Sequence, residues 1–138
     1  MRIMAVDYGR KRVGIAITDP LCVISQPFLT LNVSSDKELI IRLKCLIKEN
    51  QVGCILIGNP LSHKGEATEI SKDIQRFLKR LKKSVDIEVI LWDERFTSKY
   101  ALNLLKSHGF KYKRQKVDEI AACIMLDEYL KSQPICPV

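Results

Sequence analysis

Histidine is scarce in this chain, and its scarcity narrows the possible chemistry. Only His63 and His108 occur among the 138 residues. So few histidines leave no plausible Ser/His/Asp or Cys/His set for nucleophilic catalysis. We interpret the two as a loop residue and a helix-end residue rather than as metal ligands.

Linkers, long apolar runs and paired cysteines are also missing. No Gly-, Ser- or Pro-rich stretch divides the chain, so we predict one domain over residues 1–138 with a flexible tail at 132–138. No apolar run approaches the ~20 residues of a membrane helix. Strand-like sequence from Arg2 onward leaves no room for a signal peptide. The five cysteines form no C-x-x-C motif and are predicted to be buried thiols, so we expect a cytoplasmic protein with no membrane partner.

Positive charge, in contrast, is abundant. The net charge is +7 and the pI is about 9.2, and a basic surface favours polyanionic partners. The basic residues cluster at Arg10-Lys11-Arg12, at Lys79-Arg80-Lys82-Lys83 and at Lys111-Lys113-Arg114-Lys116. The second cluster is equally well explained as the solvated face of a helix. The other two flank acidic residues and are interpreted as candidate nucleic-acid contacts.

Apolar periodicity predicts a hairpin followed by alternating helices and strands. Strands are predicted at Arg2–Tyr8, Val13–Thr18, Gln26–Asn32, Cys54–Ile57 and Ile87–Trp92. Helices are predicted from Ser35, in a capping box with Glu38, to Glu49, over Glu66–Lys83, from a Thr97 or Ser98 cap to Gly109, and over Gln115–Lys131. This order indicates an α/β fold, with a mixed sheet that opens on an antiparallel hairpin and carries helices on both faces.

Three acidic residues lie where apolar elements end or face inward. Asp7 closes Ile3–Val6, Glu94 follows Val89–Trp92, and Asp118 lies on the apolar stripe of the last helix. A carboxylate in a core is costly unless it is neutralised, and oxygen ligands suit Mg²⁺ or Mn²⁺. Ligands of α/β sheets bind beyond the carboxyl ends of parallel strands. We therefore predict that the three carboxylates hold one or two divalent ions, which would activate water against a phosphodiester.

Each of these acids also has a structural interpretation. The alternatives are a turn cap through Gly9 for Asp7, an ion pair with Arg95 or Arg12 for Glu94, and complementation of the helix N-terminus for Asp118. Three neighbouring acids are predicted to be structural: Asp93 as an ion-pair partner, Glu119 as a solvated residue, and Asp19 as a turn residue before Pro20.

Three ordered motifs resemble a known family over nearly the whole chain. They are Asp7-Tyr8-Gly9-Arg10-Lys11-Arg12-Val13-Gly14-Ile15-Ala16-Ile17-Thr18-Asp19, then Asp93-Glu94-Arg95-Phe96-Thr97-Ser98, then Lys116-Val117-Asp118-Glu119-Ile120-Ala121-Ala122. Together they are similar to the YqgF-type proteins, the pre-16S rRNA nucleases also called Holliday-junction-resolvase-like proteins. The resemblance implies an RNase H-like fold.

The same resemblance implies a role for individual residues. Asp7, Glu94 and Asp118 would be the catalytic, metal-binding acids, and Arg12, Arg95 and Lys116 would contact phosphates. The basic clusters add Arg10, Lys11, Lys113 and Arg114 to the candidate nucleic-acid contacts, and Gly9, Gly14 and Thr97 would give structural support. One departure lies at Gly58-Asn59-Pro60-Leu61, where relatives commonly carry Leu before the Pro, and it bears on substrate preference.

Several functions stay open from the sequence. The leading hypothesis is an Mg²⁺- or Mn²⁺-dependent nuclease, monomeric or homodimeric, that trims the 5′ side of pre-16S ribosomal RNA. A resolvase acting on branched, four-way DNA would use the same chemistry. A non-catalytic RNA-binding module of ribosome assembly is an alternative of another class. An actin-like phosphotransferase is disfavoured, because such proteins need two domains of this kind to enclose a nucleotide.

Overall fold

The computed structural model describes residues 1–59, 69–93 and 114–133, without the side chains of Asp93 and of residues 114–116. Within these ranges the chain forms β1 (Arg2–Asp7), β2 (Arg12–Thr18), β3 (Ser25–Asn32), α1 (Asp36–Asn50), β4 (Val52–Asn59), α2 (Glu69–Ser84), β5 (Glu88–Asp93) and α3 (Arg114–Ser132). None of the described helices is long and apolar enough to span a membrane.

The strands form one mixed sheet in the order β3-β2-β1-β4-β5. β1 and β2 form the predicted antiparallel hairpin, and β3 pairs antiparallel with β2. β4 and β5 join on the other side as parallel strands. β4 is apolar toward both faces, as expected for a strand inside a parallel segment. The predicted α/β fold with a leading hairpin is confirmed.

Helices cover both faces of the sheet, because side chains of each strand alternate between two cores. Met4 and Val6 of β1 belong to the core under α1 and α2, which includes Leu39, Leu43, Ile74 and Phe77. Ala5 belongs to the smaller core under α3, together with Ala16, Leu56, Ala122, Met125 and Leu126. Asp7 follows Val6 and therefore lies on the α3 side of the sheet.

The element bounds agree closely with the predictions. All five strands and the helices α1 and α3 end within two residues of the predicted positions. The predicted start of α2 at Glu66 and the whole predicted helix from Thr97 to Gly109 lie outside the described residues. Helix α3 continues to Ser132, the first residue of the predicted tail, and residues 134–138 lie outside the description.

At the start of α1, one bond of the predicted capping box is shifted by one residue, from Ser35 to Ser34. The Ser35 hydroxyl accepts a hydrogen bond from the Glu38 amide at 3.1 Å, as expected of an N-cap. The Glu38 carboxylate, however, accepts from the amide and the hydroxyl of Ser34, at 3.0 and 2.7 Å. These bonds lower the pKa of Glu38. They also hold Ser34 at the edge of the site described below.

The cysteines are less buried than predicted. Cys45 is exposed on α1, whereas Cys22, Cys54 and Cys123 are partly buried. Burial raises the pKa of the Cys54 thiol to about 11. The prediction of a buried thiol is therefore wrong for Cys45, which lies on the solvent side of an amphipathic helix.

Helix α3 approaches the sheet closely because the residues between them are small. A Cβ added at Gly14 would overlap the carbonyl of Asp118 and lie 3.0 Å from its Cβ. Ala5, Ala16 and Ala122 are completely buried in the same core. Gly14 is therefore required for the contact between β2 and α3, and this contact places Asp118 over the hairpin.

We predict that Gly14→Ala lowers the free energy of unfolding by about 2 kcal/mol, because the new methyl group meets rigid backbone. Gly53→Ala is the matched control, since its Cβ would approach Met1, with Sδ at 2.6 Å and Cβ at 2.9 Å, and Met1 is an exposed terminal residue that can shift. That change should be close to neutral. Urea denaturation measures both variants, and equal losses would contradict a special role for the Gly14 contact.

Candidate active site

Asp7 and Asp118 line the same cavity at the carboxyl end of β1. Asp7 is the last residue of β1 and lies opposite Gly14 in the hairpin register. Gly14 in turn contacts the backbone of Asp118, in the second turn of α3. Both acids line one cavity of about 1110 Å³. The structure thus brings together two of the three predicted metal-binding acids.

The third acid, Glu94, directly follows the end of β5 in the sequence, and this strand ends at the same edge of the sheet. Asn59 and Asp93, the last residues of the parallel strands β4 and β5, lie opposite each other in the sheet register. Glu94 follows Asp93 directly but lies outside the described residues, as do Arg95, Thr97 and Lys113. Within the described ranges, no group of three or more His, Cys, Asp or Glu residues could hold a metal ion.

Basic residues from the hairpin turn surround the two carboxylates. Arg10, Lys11 and Arg12 all line the cavity that contains Asp7 and Asp118. Gly9 makes this turn possible, because a Cβ there would overlap the Arg12 carbonyl. The third cluster begins α3, where Arg114 and Lys116 are placed by their backbone alone. The cavity therefore combines carboxylates with cations suited to phosphate.

Arg12 compensates the charge of Asp118. Its Nε lies 3.2 Å from Asp118 Oδ2, and the two side chains are 32% and 21% exposed. This oxygen is buried and accepts no hydrogen bond from the described residues. The contact is thus an ion pair without a well-directed hydrogen bond. Asp118 Oδ2 keeps acceptor capacity, in a residue that lines the cavity.

Three polar residues of the cavity were not predicted from the sequence. Asn32 is the last residue of β3 and lies opposite Arg12 in the strand register, and Ser34 lies just beyond the end of this strand. Tyr8 donates from its hydroxyl to Asp36 Oδ1 at 2.7 Å. Burial and this bond to a carboxylate raise its pKa. Tyr8 could have been predicted as a cavity residue, because it directly follows Asp7 in the sequence. Asn32 could not, because its place opposite Arg12 depends on a register shift between β2 and β3.

Three further polar residues lie close in sequence to the predicted motifs or strand ends. Two of them accept hydrogen bonds within the fold, and the third is buried. Glu119 was predicted to be solvated, and this is wrong: Thr30 donates to its Oε1 at 3.3 Å because β3 extends beneath α3. Asp19 is confirmed as a turn residue, since its carboxylate accepts from the amides of residues 21, 23 and 24 at 2.7–3.1 Å. Asn59 is 7% exposed, and its Oδ1 accepts no hydrogen bond among the described residues.

The RuvX family model, described as Holliday junction resolvase, matches residues 1–132. The chain belongs to the RuvX family. A relative from Thermoanaerobacter pseudethanolicus named pre-16S rRNA nuclease is 39% identical, over 96% of this chain and 98% of its own length. A Dictyoglomus turgidum relative of the same name is 37% identical, over 96% and 95%.

Two of the solved structures similar to this RuvX-family chain are resolvases. Thermus thermophilus RuvC in complex with a Holliday junction substrate has a TM-score of 0.61 at 8% identity, covering 96% of this chain and 97% of that chain. The fowlpox virus Holliday junction resolvase has a TM-score of 0.56 at 18% identity, covering 96% and 100%. At such identities the likeness establishes the RNase H-like fold alone.

We predict a coupling of roughly 1 kcal/mol between Arg12 and Asp118, because both side chains are largely withdrawn from solvent. A double-mutant cycle of Arg12→Gln and Asp118→Asn, followed by urea denaturation at low salt, measures it. Lys11→Gln removes an exposed cation of the same turn and should show almost no coupling to Asp118. Equal coupling for both cations would contradict a specific ion pair.

Proposed function

We propose that this RuvX-family chain is a divalent-metal-dependent nuclease that processes the 5′ end of pre-16S ribosomal RNA in the cytoplasm. The observation that carries the proposal is the shared cavity of Asp7 and Asp118, bordered by Arg10, Lys11 and Arg12. Relatives named pre-16S rRNA nuclease at up to 39% identity support the substrate. The RNase H-like fold supports the site's position at the carboxyl ends of the strands.

The residues of the cavity fit Mg²⁺ or Mn²⁺. Asp118 Oδ2 is a buried acceptor with no hydrogen bond from the described residues, and its charge is opposed only imperfectly by Arg12. Carboxylate oxygens are the donors these hard cations prefer. Asp7 and Asp118, joined in the proposal by Glu94, would hold one or two ions. A bound ion would supply an activated water and stabilise charge at the leaving oxygen.

The protein's own side chains then bind and orient the substrate. Arg10 and Lys11 are exposed at the mouth of the cavity and are suited to backbone phosphates. Arg12 forms an ion pair with Asp118 and is suited to a phosphate beside the carboxylates. Arg95, Lys113, Arg114 and Lys116 complete the proposed nucleic-acid contacts. Gly9 and Gly14 keep the turn and helix α3 close enough to form the cavity.

The second candidate is a resolvase that cuts four-way DNA. Its support is the description of the matching family model and the resolvases among the solved structures. The resolvase structures are at most 18% identical, whereas the relatives named for pre-16S rRNA reach 39%. We therefore favour the RNA substrate. A resolvase making paired cuts would also act as a symmetric homodimer.

We predict that the pure protein cleaves a 5′-extended 16S rRNA precursor with Mg²⁺ or Mn²⁺, and that Asp7→Asn and Asp118→Asn lower the rate at least 100-fold. Asp86→Asn, which changes an exposed acid between α2 and β5, is the control and should cleave normally. Gel analysis of the precursor and of a four-way DNA junction measures the products.

Cutting of the junction alone would replace the RNA assignment with the resolvase. No metal-dependent cutting of either substrate by folded protein would overturn the nuclease assignment. It would favour a non-catalytic RNA-binding module.

We also predict that Mn²⁺ stabilises the protein without any substrate present. An ion that binds only the folded state adds about 2.7 kcal/mol at 100 times its Kd. Asp7→Asn and Asp118→Asn should lose most of the resulting Tm increase, while Asp86→Asn should keep it. Calorimetric scans with and without Mn²⁺ measure the effect. An unchanged Tm increase in both site variants would place the ion elsewhere.

A further inference from the structure

A second basic surface lies on the opposite side of the sheet, between α1 and α2. One cavity of about 750 Å³ there is lined by Arg76, Lys79 and Arg80 of α2 together with Ser35 and Asp36 at the start of α1. A neighbouring cavity of about 510 Å³ is lined by Lys37, Lys44, Arg80 and Lys83. Arg80 lines both, so the two cavities are neighbours along α2. We call the two together the α1–α2 groove.

The α1–α2 groove is continuous with the carboxylate cavity. Tyr8, Arg10 and Ser34 line both the cavity of Asp7 and Asp118 and the first cavity of the groove. Tyr8 is held there by its hydrogen bond to Asp36 and by its ring contact with Phe77, at 5.1 Å between centroids. Ser34 is held by Glu38. An extended polyanion can therefore pass from one cavity to the other around Arg10.

The charge of the groove is strongly unbalanced. Seven basic residues and two acidic residues line its two cavities. Asp73, one of the acids, accepts from Arg10 Nε at 2.6 Å and also pairs with Arg76. The other, Asp36, accepts from the Tyr8 hydroxyl. Both carboxylates therefore bind residues that line the groove. The other five cations of the groove are exposed to solvent.

The basic residues of α2 are concentrated on one side of the helix. Arg76, Arg80 and Lys83 follow the spacing i, i+4 and i+7, which places them on the flank that faces α1. Lys82 is exposed but lines none of the described cavities. The apolar stripe of α2 already places its basic residues away from the core, and the cavities distinguish Arg80 and Lys83, which line them, from Lys82. Lys82 consequently provides an internal control on the same helix.

We propose that the α1–α2 groove binds the sugar-phosphate backbone of the RNA whose scissile bond lies at the carboxylates. This inference rests on the proposed nuclease function and extends it. The substrate must continue past the cut site around the hairpin turn at Arg10. Ile41 also lines the groove and is 55% exposed, so it offers an apolar surface to a ribose.

The first experiment measures binding of labelled precursor RNA to the Asp7→Asn protein, which does not cut it, over a series of salt concentrations. Arg80→Gln/Lys83→Gln removes two groove cations, and Lys82→Gln/Lys131→Gln removes two exposed cations outside the groove. Circular dichroism melts establish that both double variants fold. The groove variant should bind several-fold more weakly, with a salt-dependence slope lower by about 1.4 for single-stranded contacts. The control should match its parent.

The second experiment needs no groove substitution. Lysines of the Asp7→Asn protein are acetylated with and without RNA, and mass spectrometry measures the rate of modification at Lys79, Lys83 and Lys82. Bound RNA should slow the modification of Lys79 and Lys83 at least threefold and leave Lys82 unchanged.

The outcomes separate this inference from the function it extends. The groove assignment fails, and the nuclease assignment stands, if RNA binds the two double variants with equal affinity and slows the acetylation of Lys79 and Lys83 no more than that of Lys82. If the precursor RNA does not bind the folded protein at all, both fail. If only a four-way DNA junction protects Lys79 and Lys83, the commitment to RNA is overturned.

Discussion

The close approach of helix α3 to the β1–β2 hairpin is the contact on which the rest of this site depends. Gly14 leaves room for the backbone of Asp118 at the point where β2 pairs with Asp7. A side chain larger than hydrogen at that position would push α3 outward. The two acids would then no longer share a cavity. A steric requirement at a glycine thus determines an electrostatic property of the molecule.

The electrostatics of the cavity follow from that packing. Once α3 is in place, Asp118 has a buried oxygen that water does not solvate, and Arg12 forms an ion pair with it. The hairpin turn therefore supplies charge compensation to a helix distant in sequence. The same turn carries Arg10 toward Asp73 and α2. Its basic residues connect the two faces of the sheet, which explains why one short segment contributes to both cavities.

Much of the fold follows from local pattern. The apolar runs of β1 and β2 and the short connection between them predict the hairpin, and the uninterrupted apolar run of β4 predicts an inner parallel strand. Asp7 is predictable because it ends such a run. The partner of Arg12 is not, because it depends on where α3 lies over the sheet. Glu119 was predicted wrongly for the same reason, since the position of β3 beneath α3 is a tertiary property.

The candidate site shows the same division. Asp118 was identified from its helical stripe with Ala121, Ala122 and Met125, and these residues do pack on the sheet. Asn32 and Ser34 carry no local signal, because a register shift between Ile15 and Ala16 changes which residues of β3 face the turn. The basic residues on α2 were visible as a cluster. Only the packing of α1 beside α2 shows that Lys83 lines the groove and that Lys82 does not.

The parallel pairing of β1 with β4 has a consequence for how the protein becomes active. Arg2 pairs with Val52, and Asp7 meets Asp118 only through α3, so both contacts close long loops of chain. Pairings between distant parts of the chain form slowly, because the loop must close before the contact stabilises it. A chain still being synthesised has its hairpin and basic turn before it has α3. It can therefore attract polyanions before Asp7 and Asp118 meet, and the acidic pair forms only in nearly complete molecules.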